Sequence, residues 1–408
     1  MPAKRVFITV AEVSGDKHAA QFVRGLRALD PAIEVEGLGG HEMAEAGATI
    51  HHETVGAAAM MHHALGRVRE VWRLLKWTRA HYAKAPPDLH VCVDSPAMNF
   101  HFAKLARSFG VPVLYYIAPQ TWAWREGRVR KIRRWVDRVA CILPFEEKYF
   151  RDHGIRATFV GHPLFDELPG GRDAAAPGNG ERFPQRPPVI GLLAGSRRSE
   201  ATANFPHQLD VARRVLDEFP GATFLAPTTT ATDPVARDHL ERTATPPVRE
   251  RTTAGVGEFD RMVPRCDLCL TVSGTATLHV AGWGVPMVVV YRGSPLLWHL
   301  VGRWVIRTRR FSLVNLLTDV RHPIVPEFVP WHGSNARVAE CVLEMLRHPE
   351  RLAQQRAKLR HLVRGLDKPG ASVNAARIAI EMLVSERKTA VMEPGGRGGV
   401  ESGSGAAR

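Results

Sequence analysis

Short runs of consecutive apolar residues alternate with longer amphipathic stretches along the whole chain. Near-continuous apolar runs are typical of strands that are covered on both faces, as in parallel sheets flanked by helices. The pattern therefore predicts an α/β fold built on doubly wound parallel sheets. The predicted strands are Val6–Val10, Leu89–Val93, Val111–Ile117, Val139–Leu143 and Thr158–Val160 in the first half, and Val189–Leu193, Ala222–Leu225, Leu268–Val272 and Met287–Tyr291 in the second.

A stretch rich in glycine, proline and polar residues separates the two halves. Residues 169–188 show no periodicity, which indicates a linker. Each half has the size of one Rossmann-like domain, so we predict such domains over residues 1–168 and 189–387, facing each other across a cleft. The second domain is expected to carry the terminal helices, and the glycine- and serine-rich residues 388–408 are expected to form a disordered tail.

Composition and charge narrow the class of protein. The chain has 408 residues, of which 45% are hydrophobic and 24% charged, and this excludes a mainly disordered or collagen-like protein. Five cysteines are an odd number, so a disulfide framework is not expected. The first apolar run is too short for a signal peptide, and turn residues interrupt the uncharged stretch Leu268–Tyr291, so a cytoplasmic protein without a membrane span is expected. The net charge of +14 favours phosphate-bearing partners (nucleic acid, anionic membrane or nucleotide) without choosing among them.

Ligands of open α/β sheets bind beyond the carboxyl ends of the strands, so polar residues that follow predicted strands are the candidates for a site. Ser14, Gly15 and Asp16 follow the first strand, and Ser14 or Asp16 is a candidate cap for the next helix that would leave backbone N–H groups for an anion. Asp94 follows the strand Leu89–Val93. It is a candidate general base facing the cleft, and the alternative is that it caps the next helix.

The second half carries two loops suited to a diphosphate. One is a glycine-serine turn with an arginine, whose guanidinium makes bidentate contacts to phosphate, but the Lys-Ser/Thr ending of a P-loop is absent. The other has small hydroxyl residues around a glycine at a helix start, where N–H donors and the positive end of the helix dipole are exposed. These loops comprise Gly195, Ser196, Arg197, Ser273, Gly274, Thr275, Ala276 and Thr277.

Other constellations are less informative. Trp122 and Trp124 follow a predicted strand and would either wall a sugar or acyl pocket or belong to the core. Cys266–Cys269 is a CxxC without a second pair at zinc spacing, which favours packing. The adjacent histidines at 51–52 and 62–63 are interpreted as surface residues because no carboxylate cluster accompanies them. No metal and no cofactor are expected.

Several further segments occur in an order and spacing that is informative as a set. In this set the chain resembles the lipid-A-disaccharide synthases, a family of two-domain GT-B glycosyltransferases, over roughly residues 4–380. The Trp-Ala-Trp-Arg and Asn-Leu-Leu motifs make the resemblance specific. The matching segments are Ala11–Asp16, Gly37–Met43, Asp94–Asn99, Tyr116–Arg125, Leu143–Glu146, Gly161–Pro163, Gly195–Arg197, Ser273–Ala276, Tyr291–Arg292, Ser312–Leu317 and Val325–Glu327.

The resemblance implies an inverting transfer of 2,3-diacylglucosamine from its UDP-linked donor to 2,3-diacylglucosamine 1-phosphate, which yields lipid A disaccharide 1-phosphate and UDP. Rival interpretations are another GT-B UDP-sugar transferase or epimerase, and a non-catalytic protein that binds anionic lipid or nucleic acid. The partners implied are the two substrates and an anionic membrane, with the protein peripheral on the cytoplasmic face of the inner membrane. A homodimer is left open, and no nucleic acid is expected. We expect the membrane contact at Trp298–Phe311, where arginines lie among aromatic residues and the apolar positions recur at helical spacing, namely Trp298, Leu300, Val301, Trp304 and Val305.

Residue roles follow from the same resemblance. Asp94 matches the catalytic base, and Arg197 and Asn315 match residues important for donor binding or activity. The loop Ser273–Ala276 matches the nucleotide-phosphate loop, and His279 stands where the family tends to carry a glutamate, at the ribose position. The substrate-binding set is Ser14, Gly15, Gly195, Ser196, Arg197, Ser273, Gly274, Thr275, Ala276, Thr277, His279, Asn315 and Glu327.

Overall fold

Two sheets, each made only of parallel strands, organise the described part of the chain. The computed structural model describes residues 3–55, 64–122, 126–168, 183–292, 310–318, 321–366 and 368–391. The first sheet has the strand order β3-β2-β1-β4-β5-β6-β7 and the second β10-β9-β8-β11-β12-β13. The strands are β1 (Arg5–Thr9), β2 (Glu34–Gly39), β3 (Thr49–Glu53), β4 (Leu89–Val93), β5 (Val113–Tyr116), β6 (Arg138–Cys141), β7 (Ala157–Phe159), β8 (Val189–Leu193), β9 (Thr223–Thr228), β10 (Thr252–Val256), β11 (Leu268–Thr271), β12 (Met287–Val290) and β13 (Glu327–Phe328).

Helices cover both faces of the two sheets, which confirms the predicted α/β class with two Rossmann-like units. Among the described residues no helix has the length and apolar character needed to cross a membrane. The helices are α1 (Val13–Leu29), α2 (His41–Glu45), α3 (Ala64–Lys84), α4 (Pro96–Ser108), α5 (Val129–Trp135), α6 (Pro144–Asp152), α7 (Pro163–Glu167), α8 (Arg198–Glu218), α9 (Asp233–Arg242), α10 (Pro246–Glu250), α11 (Phe259–Met262), α12 (Thr275–Gly282), α13 (Leu313–Leu316), α14 (Asn335–Arg347), α15 (Pro349–Gly365) and α16 (Ala371–Val391).

All nine predicted strands are present, with shifts of a few residues at their ends. The pattern missed β2, β3, β10 and β13. Of these, β3, β10 and β13 lie at sheet edges, where polar residues are tolerated and no continuous apolar run is required. Strand β2 lies inside the sheet but carries two glutamates, Glu34 and Glu36, which hide its apolar positions.

The residues of β1 show how the first sheet divides its two faces. Val6 and Ile8 point into a core shared with α1 and α16, and Phe7 points into the opposite core, shared with α3 and α4. This alternation follows from the two-residue period of a strand. Because both faces are dry, β1 can be apolar at nearly every position.

The last helix returns to the first sheet. Ala375, Ala376 and Ala379 of α16 lie in the same core as Val6 and Ile8. Small residues allow the close approach: a Cβ atom added to Gly25 of α1 would lie 3.2 Å from the Cα atom of Val373. The C-terminal segment is therefore part of the first sheet's packing.

Helix α7 and the residue that follows it, which come after the strands of the first sheet, pack against residues of the second half of the chain. Phe165 and Leu168 pack in a core with Leu278 and Trp283, and a Cβ atom on Gly282 would come within 2.8 Å of the Leu168 side chain. Most of the predicted linker, residues 169–182, lies outside the described residues, as do residues 392–408 of the predicted tail. Helix α16 extends to residue 391, so the first residues of that tail are helical. The domain boundaries stay a prediction.

Candidate functional site

The strand order of each sheet reverses once, and this reversal marks the site. In the first sheet the reversal lies between β1 and β4, and in the second between β8 and β11. Helices that follow such a pair of strands leave to opposite faces, so a crevice opens beyond the carboxyl ends of the two strands. All four loops that the sequence singled out for chemistry, at Ser14, Asp94, Arg197 and Ser273, follow these four strands.

Asp94 sits in an unusual backbone conformation at the end of β4. Its φ is 48°, and Ser95 (φ 45°) and Ile117 (φ 58°) share the left-handed region that residues with a Cβ rarely adopt. The Asp94 carbonyl oxygen accepts hydrogen bonds from Asn99 Nδ2 (2.8 Å) and from the Tyr115 hydroxyl (2.7 Å). These contacts hold a strained turn in place, and strain of this kind clusters at active sites.

The alternative role of Asp94, as a helix cap, is not what the structure shows. Helix α4 begins at Pro96 with Ser95 as its N-cap residue, and no side chain caps the helix. The Ser95 hydroxyl instead accepts a hydrogen bond from the Ala11 N–H (3.2 Å). This bond ties the loop after β1 to the loop after β4 across the switch point.

The surroundings of Asp94 favour its protonated form. Burial raises the pKa of this carboxyl, and the charge of Glu12 raises it further. The Ser95 backbone N–H and the charges of His18 and Arg197 act in the opposite direction without cancelling the rise. A carboxylate with a raised pKa is a stronger base than an ordinary aspartate, which is what proton abstraction requires.

The capping role expected of Ser14 or Asp16 is wrong. Helix α1 begins at Val13, with Glu12 at the N-cap position, so both residues lie inside its first turns. Asp16 is buried and accepts hydrogen bonds from the N–H groups of Gly40 (2.8 Å) and Glu42 (3.1 Å) at the start of α2. The Asp16 carboxylate therefore bonds N–H groups at the start of α2 and not those of its own helix, α1.

Gly15 and Ser14 take different positions in this turn. A Cβ atom on Gly15 would lie 2.5 Å from the Val10 side chain and 3.7 Å from the Cβ atom of Asp94. Only glycine lets α1 start this close to the end of β4. Ser14 is exposed at the open start of α1. The first turn of α1 therefore presents backbone N–H groups beside Asp94.

Arg197 lies at the start of α8, after the turn made by Gly195, whose φ is +108°. The Arg197 guanidinium contacts Glu200 (2.9 Å), and hydrogen bonding to Glu200 raises its pKa, so it is permanently charged. Its side chain is 71% exposed. Because its charge also acts on Asp94, Arg197 belongs to the same electrostatic environment as the loop of the first sheet.

The loop at Ser273 begins helix α12. Gly274, with a φ of +146°, is the N-cap residue, and no side chain caps the helix, so its first N–H groups are available to an anion. The Ser273 hydroxyl donates to the Phe311 carbonyl oxygen (2.7 Å), and the Thr277 hydroxyl donates to the Gly274 carbonyl oxygen (2.8 Å). These bonds fix the loop without using its N–H groups.

His279, in the next turn of α12, is held by a carboxylate. Its Nε2 atom lies 2.7 Å from Asp260 Oδ1, to which the Trp283 indole N–H also donates (2.9 Å). The hydrogen bond from His279 is the largest cause of the lowered pKa of Asp260. The Phe259 ring stacks on the imidazole with the ring centroids 4.3 Å apart. The imidazole orientation is therefore fixed from two sides.

The buried Asn315 and the half-buried Glu327 form a hydrogen-bonded network behind the Ser273 loop. The Asn315 amide accepts from the N–H groups of Ile324 and Val325 and donates to Glu327 Oε1 (2.8 Å). Glu327 also accepts from the N–H groups of Phe311 (3.1 Å) and its neighbour, residue 312. Glu327 thus holds Phe311, whose carbonyl oxygen accepts the hydrogen bond from Ser273, and Asn315 holds Glu327.

Sequence reasoning missed three charged or titratable residues near the site: Glu12, His18 and His162. His162 is buried, its Nδ1 atom accepts the Leu164 N–H (3.3 Å), and burial lowers its pKa to about 3, which keeps it neutral. The charges of His18 and His279 lower the pKa of His162 further. All three lie in or beside matched motifs, but their proximity arises only in the folded chain.

Of the less informative constellations, one interpretation was wrong. His51 is not a free surface residue, because its Nε2 atom lies 2.8 Å from Glu36 Oε2. Cys266 and Cys269 are buried in the core, as expected for packing. The Trp122 indole donates to the buried Glu146 (3.0 Å), whose pKa burial raises to about 7. The second histidine pair (residues 62–63), Trp124 and most of the predicted membrane segment (residues 298–309) lie outside the described residues.

Solved structures with the same architecture include a glycotransferase of kitacinnamycin (16% identity, TM-score 0.59, 93% of this chain and 99% of that one). Another is UDP-GlcNAc 2-epimerase from Neisseria meningitidis bound to UDP-GlcNAc (13% identity, TM-score 0.57, 93% and 100%). At this identity the likeness shows the fold alone. Together with the paired switch points, it defines an α/β protein of the two-domain GT-B class.

Comparison of sequences narrows the class to one family. The family model described as lipid-A-disaccharide synthetase matches residues 6–380. The lipid-A-disaccharide synthase of Geobacter metallireducens is 36% identical over 95% of this chain and 99% of the relative, and that of Geobacter sulfurreducens is 37% identical over 93% and 97%. The chain belongs to the lipid-A-disaccharide synthase family and is thus a glycosyltransferase, as the resemblance in its motifs implied.

Proposed function

We propose that this chain transfers 2,3-diacylglucosamine from UDP-2,3-diacylglucosamine to the 6-hydroxyl of 2,3-diacylglucosamine 1-phosphate, with inversion. The products are lipid A disaccharide 1-phosphate and UDP. The observation that carries the proposal is the match to the family over residues 6–380, which includes all four strand-end loops of the site. The rival activities on this fold find support only in structures below 25% identity.

Asp94 is proposed as the base that removes the proton from the acceptor hydroxyl as this oxygen attacks the anomeric carbon of the donor. Its raised pKa and its position beyond β4, at the switch point, support this role. The hydrogen bonds from Asn99 and Tyr115 go to its backbone carbonyl, so they fix the turn and leave the carboxylate to the substrate.

Arg197 and the start of α12 are proposed to bind the diphosphate of the donor. Negative charge builds on UDP as it leaves, and donors already fixed in place stabilise that charge without reorganisation. Arg197 contributes a permanent positive charge, and the Ser273–Thr277 turn contributes backbone N–H groups. The mechanism uses these groups and no cofactor.

The remaining residues of the site act by position. We propose that His279, oriented by Asp260, donates a hydrogen bond to the ribose of UDP in place of the usual glutamate. Asn315 and Glu327 support the nucleotide loop from behind, since their polar atoms bond the segment that contacts Ser273. Ser14 and Gly15 present the first turn of α1 to the acceptor side.

Peripheral membrane association is proposed to use the outer surface of α3 and α4. A groove of about 760 Å³ between these helices is lined by Leu75 together with basic residues, among them Lys76, Arg79 and Lys104. Trp72, at its rim, is 70% exposed. Cations beside an exposed aromatic residue suit an anionic lipid surface, where the substrates' acyl chains reside. The membrane role of residues 298–311 and a homodimer stay predictions.

The activity itself is tested by incubating the purified chain with UDP-2,3-diacylglucosamine and 2,3-diacylglucosamine 1-phosphate. We expect UDP and the disaccharide 1-phosphate to form in equal amounts, because one donor is consumed per glycosidic bond. Mass spectrometry and a UDP assay measure both products. UDP-GlcNAc without acyl chains serves as the control donor. Absence of both products with the acylated donor would contradict the proposed activity.

Asp94→Asn is expected to lower kcat by at least about 100-fold, because it keeps the size of the side chain and removes its basicity. UDP affinity should stay unchanged. In the unmodified protein kcat should fall as the pH decreases through the pKa of Asp94, which burial raises, because the protonated carboxyl cannot act as a base. Stopped assays across pH measure both effects. Asp152→Asn, exposed on α6, is the matched control; equal rates in the two variants would remove Asp94 from the chemistry.

Arg197→Ala is expected to weaken UDP binding about tenfold or more, since a hydrogen bond to a charged group is worth about 1.5–3 kcal/mol. The free energy of unfolding should change little, because the side chain is mostly exposed. Calorimetric titration with UDP measures the first quantity and denaturant unfolding the second. Arg237→Ala removes another exposed arginine that pairs within its own helix, with Asp233, and should leave UDP affinity unchanged. A wild-type Kd for Arg197→Ala would show that the diphosphate lies elsewhere.

Membrane association is expected with anionic vesicles and not with neutral ones, and high salt should weaken it. Lys76→Glu with Arg79→Glu should lower binding more than tenfold, since each cation near the surface contributes about 1 kcal/mol. Co-sedimentation with phosphatidylglycerol and phosphatidylcholine vesicles measures this. Lys148→Glu with Arg151→Glu on α6 is the control for total charge. If Arg303→Glu with Arg307→Glu abolishes binding and the α3 variant does not, the surface on α3 and α4 is wrong.

A further inference from the structure

Three residues with metal-ligating side chains meet on the face of the first sheet that α3 covers. They are Glu36 in the middle of β2, His51 in the edge strand β3, and His81 near the end of α3. Their ligand atoms all lie within 4.8 Å of one another. None of the three lies in the loops at the two switch points. The cluster is therefore separate from the site that binds the sugar nucleotide.

The distances within the cluster fit a tetrahedral ion. Glu36 Oε2 lies 2.8 Å from His51 Nε2 and 3.2 Å from His81 Nε2. Ligands placed about 2.0–2.1 Å from zinc at tetrahedral angles are about 3.3 Å apart. The two separations from Oε2 differ from that value by about 0.5 Å and about 0.1 Å. A shared oxygen between two imidazoles is thus close to the geometry that a bound cation would impose.

Arg5 holds the second oxygen of the carboxylate. Its guanidinium contacts Glu36 Oε1, which also lies 3.2 Å from His81 Nε2, and Oε2 lies within hydrogen-bond distance of both imidazoles. Burial raises the pKa of Glu36, but hydrogen bonds from His51 and His81 and the charge of Arg5 outweigh burial and leave the pKa below its usual value. The carboxylate is consequently present in the ionised form that metals bind. Ligating carboxylates are commonly oriented by a hydrogen bond of this kind.

Aromatic packing orients the two imidazoles. The Trp77 ring stacks on His81 with the centroids 4.9 Å apart, and it lies 4.9 Å from the ring of His51. Phe7 of β1 stacks on the other side of His51, at 6.4 Å. Strand β2, edge strand β3 and helix α3 thus each contribute one ligand. Aromatic packing orients the two imidazole rings without any ion.

We propose that Glu36, His51 and His81 bind one zinc ion, with water completing its tetrahedral coordination. Two imidazoles and one carboxylate suit Zn²⁺ better than Mg²⁺ or Ca²⁺, which prefer oxygen ligands only. The ion fastens the edge strand β3 to helix α3 and so has a structural role. This site revises the expectation, drawn from the sequence, that the chain binds no metal.

The experiment uses the full chain, stripped with EDTA, dialysed and then titrated with ZnCl₂. We expect about one tightly bound zinc per chain, measured by mass spectrometry of the metal content after gel filtration, and a rise in Tm on zinc addition. Co²⁺ in place of zinc should give the visible absorption of a tetrahedral ion. His51→Gln and His81→Gln should each lose the bound zinc, the Tm rise and the cobalt spectrum.

Two controls keep a negative result informative. His52→Gln changes the neighbouring histidine, which also packs on Trp77 but lies outside the cluster, and it should keep the zinc. UDP binding and circular dichroism report whether the His51 and His81 variants are folded. Equal zinc content and equal Tm shifts in wild type, His51→Gln and His81→Gln would overturn the proposal. So would a stripped wild-type chain that takes up no zinc, which would leave the cluster a hydrogen-bonded network only.

Discussion

The structure depends on one topological constraint, which is that a parallel sheet can reverse its strand order only by leaving a crevice. Both sheets reverse once, after β1 and after β8. The helices that start there leave to opposite faces, so neither can cover the strand ends between them. In each sheet, the starts of two helices and the two polar loops before them are consequently left uncovered at the strand ends. The proposed reaction site lies where helices cannot cover the strand ends.

This constraint also explains why Asp94 can be held so unfavourably. Its left-handed backbone and that of Ser95 cost on the order of 1–3 kcal/mol each, and burial of its carboxylate adds to the cost. The side-chain amide of Asn99 stabilises that conformation by donating hydrogen bonds to the carbonyl oxygens of Thr9, Val93 and Asp94. One buried amide thus joins the ends of β1 and β4, and the stability of the sheet is used to keep a strained, basic carboxylate.

Much of the fold was predictable from the sequence because doubly covered strands must be apolar at nearly every position. That signal found β4 and β8 to the residue. It failed for β3 and β10, where one edge faces solvent and polar residues carry no penalty. The positions of the candidate loops followed from the strands, so Asp94 and Arg197 lie directly after β4 and β8 as expected, and their roles stay predictions.

Contacts that join distant segments were not predictable from local pattern. Asp16 was expected to cap its own helix, but its carboxylate bonds the N–H groups of Gly40 and Glu42. Likewise His51 looked unpartnered, since its carboxylate partner Glu36 lies on another strand. A spacing rule sees only neighbours along one helix or strand. These pairings exist because strand register sets them, and the sequence does not display register directly.

The return of α16 to the first sheet has a consequence for synthesis. Val6 and Ile8 are translated more than 360 residues before Ala375 and Ala376, the alanines of α16 that complete their core. Until then α1 is present on that face of the sheet, but α16 beside it is not. The nascent first half therefore has part of one apolar face uncovered while the second sheet is translated. The docking of α16 on α1 then joins two segments that lie more than 340 residues apart in the sequence.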